Sequence, residues 1–274
     1  MKSMIVNADD YGRTPTVSAG IRKAHLEGIL TSTTAMMNMP EVEADLHTAL
    51  KECPDLGLGV HLTLTAEGPV LSPSHLPSLM RLSDGSHFPK LADLSKSVES
   101  LNAVEIKAEW RAQIEKFVRI AGRAPTHLDS HHHTSYFSPA WFGAMLELAR
   151  EYRCGIRNPI ASTAGMETVV SEMPSVQFLH PMLLASTDVL RPDRFEARFY
   201  DERATSAMLE EIIAGLPHAV TEIMSHPGLP DETLAAITGY NRQRAQELAV
   251  LTAPGLRERV RTAGVELISF AGLA

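Results

Sequence analysis

The chain has 274 residues, a length that suits one (β/α) barrel, which typically takes about 250. With 44% hydrophobic and 21% charged residues, it can bury a large core and lacks the composition of a disordered chain. A formal net charge of −8 argues against nucleic acid or an anionic membrane as a partner, since either would want a dense Lys/Arg face.

The first strand is expected at once. Met4, Ile5 and Val6 suit a strand covered on both faces, and they run into Asn7-Ala8-Asp9-Asp10-Tyr11-Gly12. Neighbouring side chains of a regular strand point to opposite faces, so Asp9 and Asp10 share a cavity only where the strand breaks; Gly12 offers that break. Thr14-Pro15 reads as a helix start, with Val17, Ile21, Ala24 and Leu26 as its inner stripe and Gly28 as its stop. Residues 29–37 read as a second strand and residues 41–52 as a short helix. Residues 56–64 read as a third strand, whose glycines allow close packing in a curved barrel and whose far end carries His61.

Residues 66–88, with Pro69, Pro73, Pro77 and Asp84-Gly85, read as a long surface excursion of the kind that carries binding contacts. A helix is expected over residues 100–121, with Leu101, Val104, Trp110, Ile114, Phe117 and Val118 inward and Gly122 closing it. The His-rich run 127–133 follows, then a helix over 139–152 and a short strand over 155–157. Residues 158–190 carry little pattern beyond a short helix. A helix over 204–215, a strand over 219–225 and a turn at His226-Pro227-Gly228 come next. Helices rich in Ala, Leu and Arg fill 231–263, interrupted near Pro254-Gly255, before a last strand over 265–270. Seven or so strands, each followed by helix, predict a parallel sheet curled into a TIM-like barrel, irregular or seven-stranded, as a single domain over residues 1–274. Cys53 and Cys154 are far apart and read as reduced thiols. No apolar run approaches the ~20 residues of a membrane span, and a cytoplasmic location is the default expectation.

Polar groups collect at the predicted carboxyl ends of these strands: Asp9 and Asp10, His61, the run from His127 to His133, and His226. That end is where barrels place their chemistry. Within the run, period-two alternation sets His127, Asp129 and His131 on one face, with His133 a further member of that ladder. Imidazoles and a carboxylate form the ligand set of zinc and other divalent first-row ions, and an Asp beside a ligating His serves equally as its orienting partner. Paired aspartates allow one to bind an ion while the other takes a proton from metal-bound water, and His226 is the candidate acid for the leaving group. Hydrolysis of an amide or ester follows.

The motifs Asn-Ala-Asp-Asp-Tyr-Gly at 7–12, Thr31-Ser32-Thr33-Thr34, Gly59 to Thr65, Pro125 to His133 and Ser225-His226-Pro227-Gly228 together resemble the YdjC-like carbohydrate deacetylases. The resemblance implies a barrel that carries a divalent ion, zinc or magnesium, and removes N-acetyl groups from amino sugars or chitooligosaccharides. Under it, Asp10, His61 and His131 correspond to metal ligands, Asp9 to the general base and His226 to the acid or oxyanion-stabilising group. Tyr11, His127, Asp129 and Arg157 fall where substrate contacts or supports of the ligands would be. The partner implied is a small amino-sugar substrate, and a homodimer is common among such relatives. Thr134 and Ser135 stand where many relatives continue with another His, so the wall facing the sugar differs. Alternatives stay open: another acylated aminosugar or glycolipid as substrate, a glycosidase using Asp9 and Asp129, or a sugar-binding barrel without activity.

Overall fold

The structure, a computed structural model, describes residues 1–158 and 178–273. Strand β1 (Lys2–Tyr11) is buried along nearly its whole length, as its apolar start requires, and forms the centre of an eight-stranded sheet. Parallel to it on one side lie β2 (Ser32–Ala35), β3 (Gly57–Leu62), β4 (His127–Ser130) and β5 (Gly155–Ile156). On the other lie β7 (Val220–Ser225) and β6 (Arg194–Glu196), while β8 (Val265–Leu267) pairs with the first residues of β1. The path β5-β4-β3-β2-β1-β7-β6 thus has seven strands, and the barrel is irregular as expected. Among the described residues, its seam is not a strand ladder. The segment leading into β6 meets β5 through Ile156 N–H donating to Leu190 O at 2.9 Å and Asn158 Nδ2 donating to Pro192 O at 3.0 Å.

Local chemistry starts and stops the helices around this sheet. Thr14, Asn102, Ser138 and Asp231 each accept a backbone N–H at a helix start, and Gly122 takes a left-handed conformation (φ 67°) to end the helix Ala103–Ala121. Close packing inside the curve depends on Gly59: a Cβ there would lie 2.6 Å from His127 Nδ1. Cys53 and Cys154 are free and buried. Among the described residues, no helix is long and apolar enough to cross a membrane.

Several sequence expectations need correction. Leu26 and Val104, assigned to inner stripes, are 55% and 75% exposed, because each sits off the arc of its helix that touches the sheet. Strand β6 escaped notice because three residues carry no periodicity. The region 231–263 breaks twice, into helices Glu232–Ile237, Arg242–Leu251 and Leu256–Thr262. The excursion 66–88 is tied down on the helix Ala103–Ala121, where Glu109 accepts the N–H groups of Val70 and Leu71 at 2.9 Å each and Glu105 accepts Ser78 N at 2.8 Å. The helix Leu91–Ser97 that follows it, rather than the excursion itself, reaches the cavity at the barrel mouth. Of the weakly patterned stretch, the helix Leu179–Leu184 is seen; residues 159–177 lie outside the described residues.

Candidate active site

The break in β1 falls two residues earlier than Gly12 alone would put it. Asp10 itself adopts φ 71°, and the register against β2 shifts between Ala8 and Tyr11. This irregularity turns two successive carboxylates, Asp9 and Asp10, into one cavity of about 720 Å³ at the carboxyl ends of the strands. His61 arrives from the end of β3. His131 arrives not by strand alternation but from the turn that follows β4, in which His132 and His133 have left-handed φ values of 53° and 55°.

Three donor atoms meet. Asp10 Oδ1 lies 3.0 Å from His131 Nδ1 and 3.5 Å from His61 Nε2, and the two imidazole nitrogens are 3.3 Å apart. Asp10 Oδ1 is buried and makes no hydrogen bond of good angle, so a carboxylate oxygen and two imidazole nitrogens are left converging. A buried acceptor without a donor is costly, and this set of one carboxylate oxygen and two imidazole nitrogens is of a kind that could hold a divalent cation. Burial pushes the His131 imidazole down to about 4, which keeps it uncharged. Burial acts the same way on His61, but the carboxylates around it, Asp129 foremost with Asp9 and Asp10, together outweigh it and raise that ring above its ordinary value. Asp129 Oδ1 accepts from His61 Nδ1 at 2.7 Å, which points His61 Nε2 toward Asp10.

A second trio, Asp9, His61 and Asp129, is also close enough to hold an ion. Its carboxylates are already taken. Arg157 donates to both oxygens of Asp9, at 2.8 and 2.6 Å, and stands 3.1 Å from Asp129 Oδ2, which also accepts from Thr34 Oγ1 at 3.0 Å. The Asp10, His61 and His131 group is therefore the one with a free acceptor. Burial opposes ionisation of Asp9, but the Arg157 guanidinium wins and holds its carboxyl well below the usual range. His226 Nε2 is 3.9 Å from Asp9 Oδ2, His226 Nδ1 has no hydrogen-bond partner among the described residues, and burial pushes this imidazole down to about 4.

A (β/α) barrel with these motifs at its mouth has known counterparts. Residues 3–262 match the YdjC-like protein family. The chain belongs to the YdjC-like family. Among its relatives, a carbohydrate deacetylase of Enterococcus faecalis V583 is 34% identical over 100% of this chain and 98% of its own length. A chitooligosaccharide deacetylase of Proteus mirabilis is 33% identical over 98% of each. The crystal structure of an Enterococcus faecalis V583 protein provisionally assigned to cellobiose-phosphate cleavage superposes with a TM-score of 0.83 at 32% identity, covering 100% of this chain and 99% of that one. A family 4 carbohydrate esterase domain of a xylanase from a Trinervitermes trinervoides hindgut metagenome shares the fold alone, with a TM-score of 0.51 at 7% identity over 99% and 89% of the two chains.

In this YdjC-like chain two residues expected at the site are turned from the cavity. Tyr11 donates its hydroxyl to Asp45 O at 2.6 Å and accepts from Arg22, because the bulge at Asp10 rotates the next side chain into the helix layer. His127 stacks on Phe270 at 3.6 Å, accepts from Thr126 Oγ1 and donates through Nε2 to Asn7 Oδ1 at 3.0 Å. That last bond orients Asn7, whose amide donates to Asp9 Oδ1 at 3.0 Å, so His127 supports Asp9 from beneath. Sequence reasoning missed Asn7, Arg13, Thr34, Glu222, Arg244 and Glu247. Arg244 pairs with Asp10 Oδ2, and Arg13 Nη1 lies 3.3 Å from His131 Nε2. Glu222 accepts from Arg157 Nε at 2.8 Å, and its place as a lone charge within the apolar β7 was a readable signal. Nothing in the sequence joins Arg244 to Asp10 across 234 positions.

Proposed function

We propose that this chain is a carbohydrate deacetylase that removes N-acetyl groups from amino sugars or short oligosaccharides with the help of a divalent ion held by Asp10, His61 and His131. The observation that carries it is the asymmetry of the adjacent carboxylates: Asp10 keeps an unbonded oxygen among imidazoles, while Asp9 is bound by Arg157 beside His226. Two imidazoles and a carboxylate suit zinc better than magnesium, which prefers an all-oxygen shell. When bound, such an ion would polarise the amide carbonyl and acidify a water.

The chain's own residues do the rest. Asp9, kept ionised and fixed in direction by Arg157 and Asn7, is oriented to take the proton of the attacking water. His226, uncharged near neutrality, lines the cavity 3.9 Å from Asp9 and is the group that can pick up that proton and deliver it to the departing amine. Acetate and a free amino sugar result, with the proton balance closed. Arg157 and Asp129 act as positioning groups, for the base and for His61. A glycosidase reading fares worse, because Asp9 and Asp129 share one buried guanidinium instead of flanking an open sugar site. The proposal extends to a single functional unit over residues 1–274 acting in the cytoplasm, as a homodimer like relatives of this kind.

The test is acetate release from N-acetylglucosamine and its oligomers, with elemental analysis of the purified protein. Release that requires a stoichiometric divalent metal supports the reading. Full activity in exhaustively chelated, metal-free protein would overturn it.

A further inference from the structure

Beside the proposed chemistry the cavity wall holds a stack of flat groups that the deacetylase reading does not use. The Arg244 guanidinium lies 5.5 Å from the Tyr240 ring centroid, and the Tyr240 and Tyr200 rings stack at 4.9 Å with 12° between their planes. Tyr240 is locked in place: its hydroxyl donates to Glu247 Oε1 and accepts from Asp201 N. Glu247 also accepts the backbone N–H of His226. Both tyrosine rings stand edge-on to His226, at 5.4 and 5.6 Å.

Tyr200 ends the stack. One face is covered by Tyr240, yet the residue is 43% exposed and lines the same cavity as Asp9 and His226. An open aromatic ring in the wall of a cavity beside polar groups is the kind of surface that ligand sites present. A ring backed by a second ring and a guanidinium cannot fold away, so it is a prepaid, rigid surface for a flat apolar face. The C–H face of a pyranose is such a partner.

We propose that Tyr200 is the platform for the sugar unit next to the one being deacetylated, and so determines a preference for an oligosaccharide over a monosaccharide. This rests on the amino-sugar reading given above. With the acetamide held in the cavity that Asp9 and His226 both line, the Tyr200 ring, on the same wall and 5.4 Å from the His226 ring, is within reach of the adjoining unit of a chain. Tyr200 touches no reacting atom in this arrangement; it is a specificity-determining residue.

The test compares N-acetylglucosamine with its β-1,4-linked disaccharide on the whole protein, by calorimetric or saturation-transfer binding and by acetate release. The wild type is expected to bind the disaccharide at least about tenfold more tightly than the monosaccharide, roughly 1.4 kcal/mol. Tyr200→Ala is expected to remove most of that ratio, mainly in Kd and KM, and Tyr200→Phe to keep it, because the ring and not the hydroxyl is the surface. An equal loss of kcat on both sugars in Tyr200→Ala would mean that the ring merely props Tyr240 and His226, and would overturn the platform. A disaccharide bound no better than the monosaccharide by the wild type would overturn it as well. Tight, Tyr200-dependent disaccharide binding without acetate release would instead sustain the platform and defeat the deacetylase reading.

Discussion

Asp9 and Asp10 are chain neighbours with different partners, and the difference is what a hydrolytic site needs. Arg157 grips both oxygens of Asp9, whereas Asp10 gives one oxygen to Arg244 and leaves the other facing His61 and His131. Asp9→Asn is expected to retain metal by elemental analysis and to lower kcat by roughly 10²-fold or more, the usual weight of a general base. His61→Ala is expected to lose both the metal and the activity. Retention of full turnover by Asp9→Asn would remove it from the base role. Glu247 carries a pH signature of its own. Burial pushes its carboxyl up to about 7, so the folded protein holds a proton that the unfolded chain releases near about 4.3. That contribution is fully present below the unfolded value and is lost as pH rises through about 7. Urea midpoints of the wild type are therefore expected to fall between about pH 5 and pH 8, and the slope is expected to flatten in Glu247→Gln.

At the scale of elements, the strand ends deliver the site and their irregularities aim it. The β1 bulge, with φ 71° at Asp10, makes two successive side chains face one cavity, and the left-handed pair His132 and His133 lets the chain turn just after His131. β3 approaches β4 closely only because position 59 has no side chain: a Cβ would meet both His127 Nδ1 and His127 O at 2.6 Å. Gly59→Ala is expected to cost about 1–3 kcal/mol in chemical denaturation through overpacking, with a loss of activity as Asn7 and Asp9 shift. Normal stability in that variant would show that the two strands are free to move apart.

Across the whole molecule, Arg157 works as a keystone. From just beyond β5 it reaches Asp9 on β1, Asp129 on β4 and Glu222 on β7, all buried, and so ties strands on both sides of a barrel whose seam, among the described residues, has no ladder. Arg157→Met leaves carboxylates in the interior without their counter-charge. It is expected to destabilise by about 3–5 kcal/mol, read from the denaturation midpoint, beyond any effect on turnover. An unchanged midpoint would mean that these carboxylates take up protons without cost. Metal loss acts on the same scale. An ion bound at 100 times its Kd adds about 2.7 kcal/mol, so chelation is expected to lower Tm, and His61→Ala is expected to be insensitive to it.

By itself the sequence determined the order of strands and helices, the short β6 apart, the collection of polar groups at the mouth of the barrel, and the residue types of a candidate metal site. Those properties live in apolar runs, caps and motifs a few residues long, and local physics writes them where they can be read. Only the tertiary structure decided which donors meet, that Arg157 claims Asp9 while Asp10 keeps an open oxygen, that Tyr11 and His127 face away from the cavity, and that Arg244 and Glu247 join from a helix near the far end of the chain. Charge pairing acts through space over a few ångströms and leaves no spacing in the chain to be recognised.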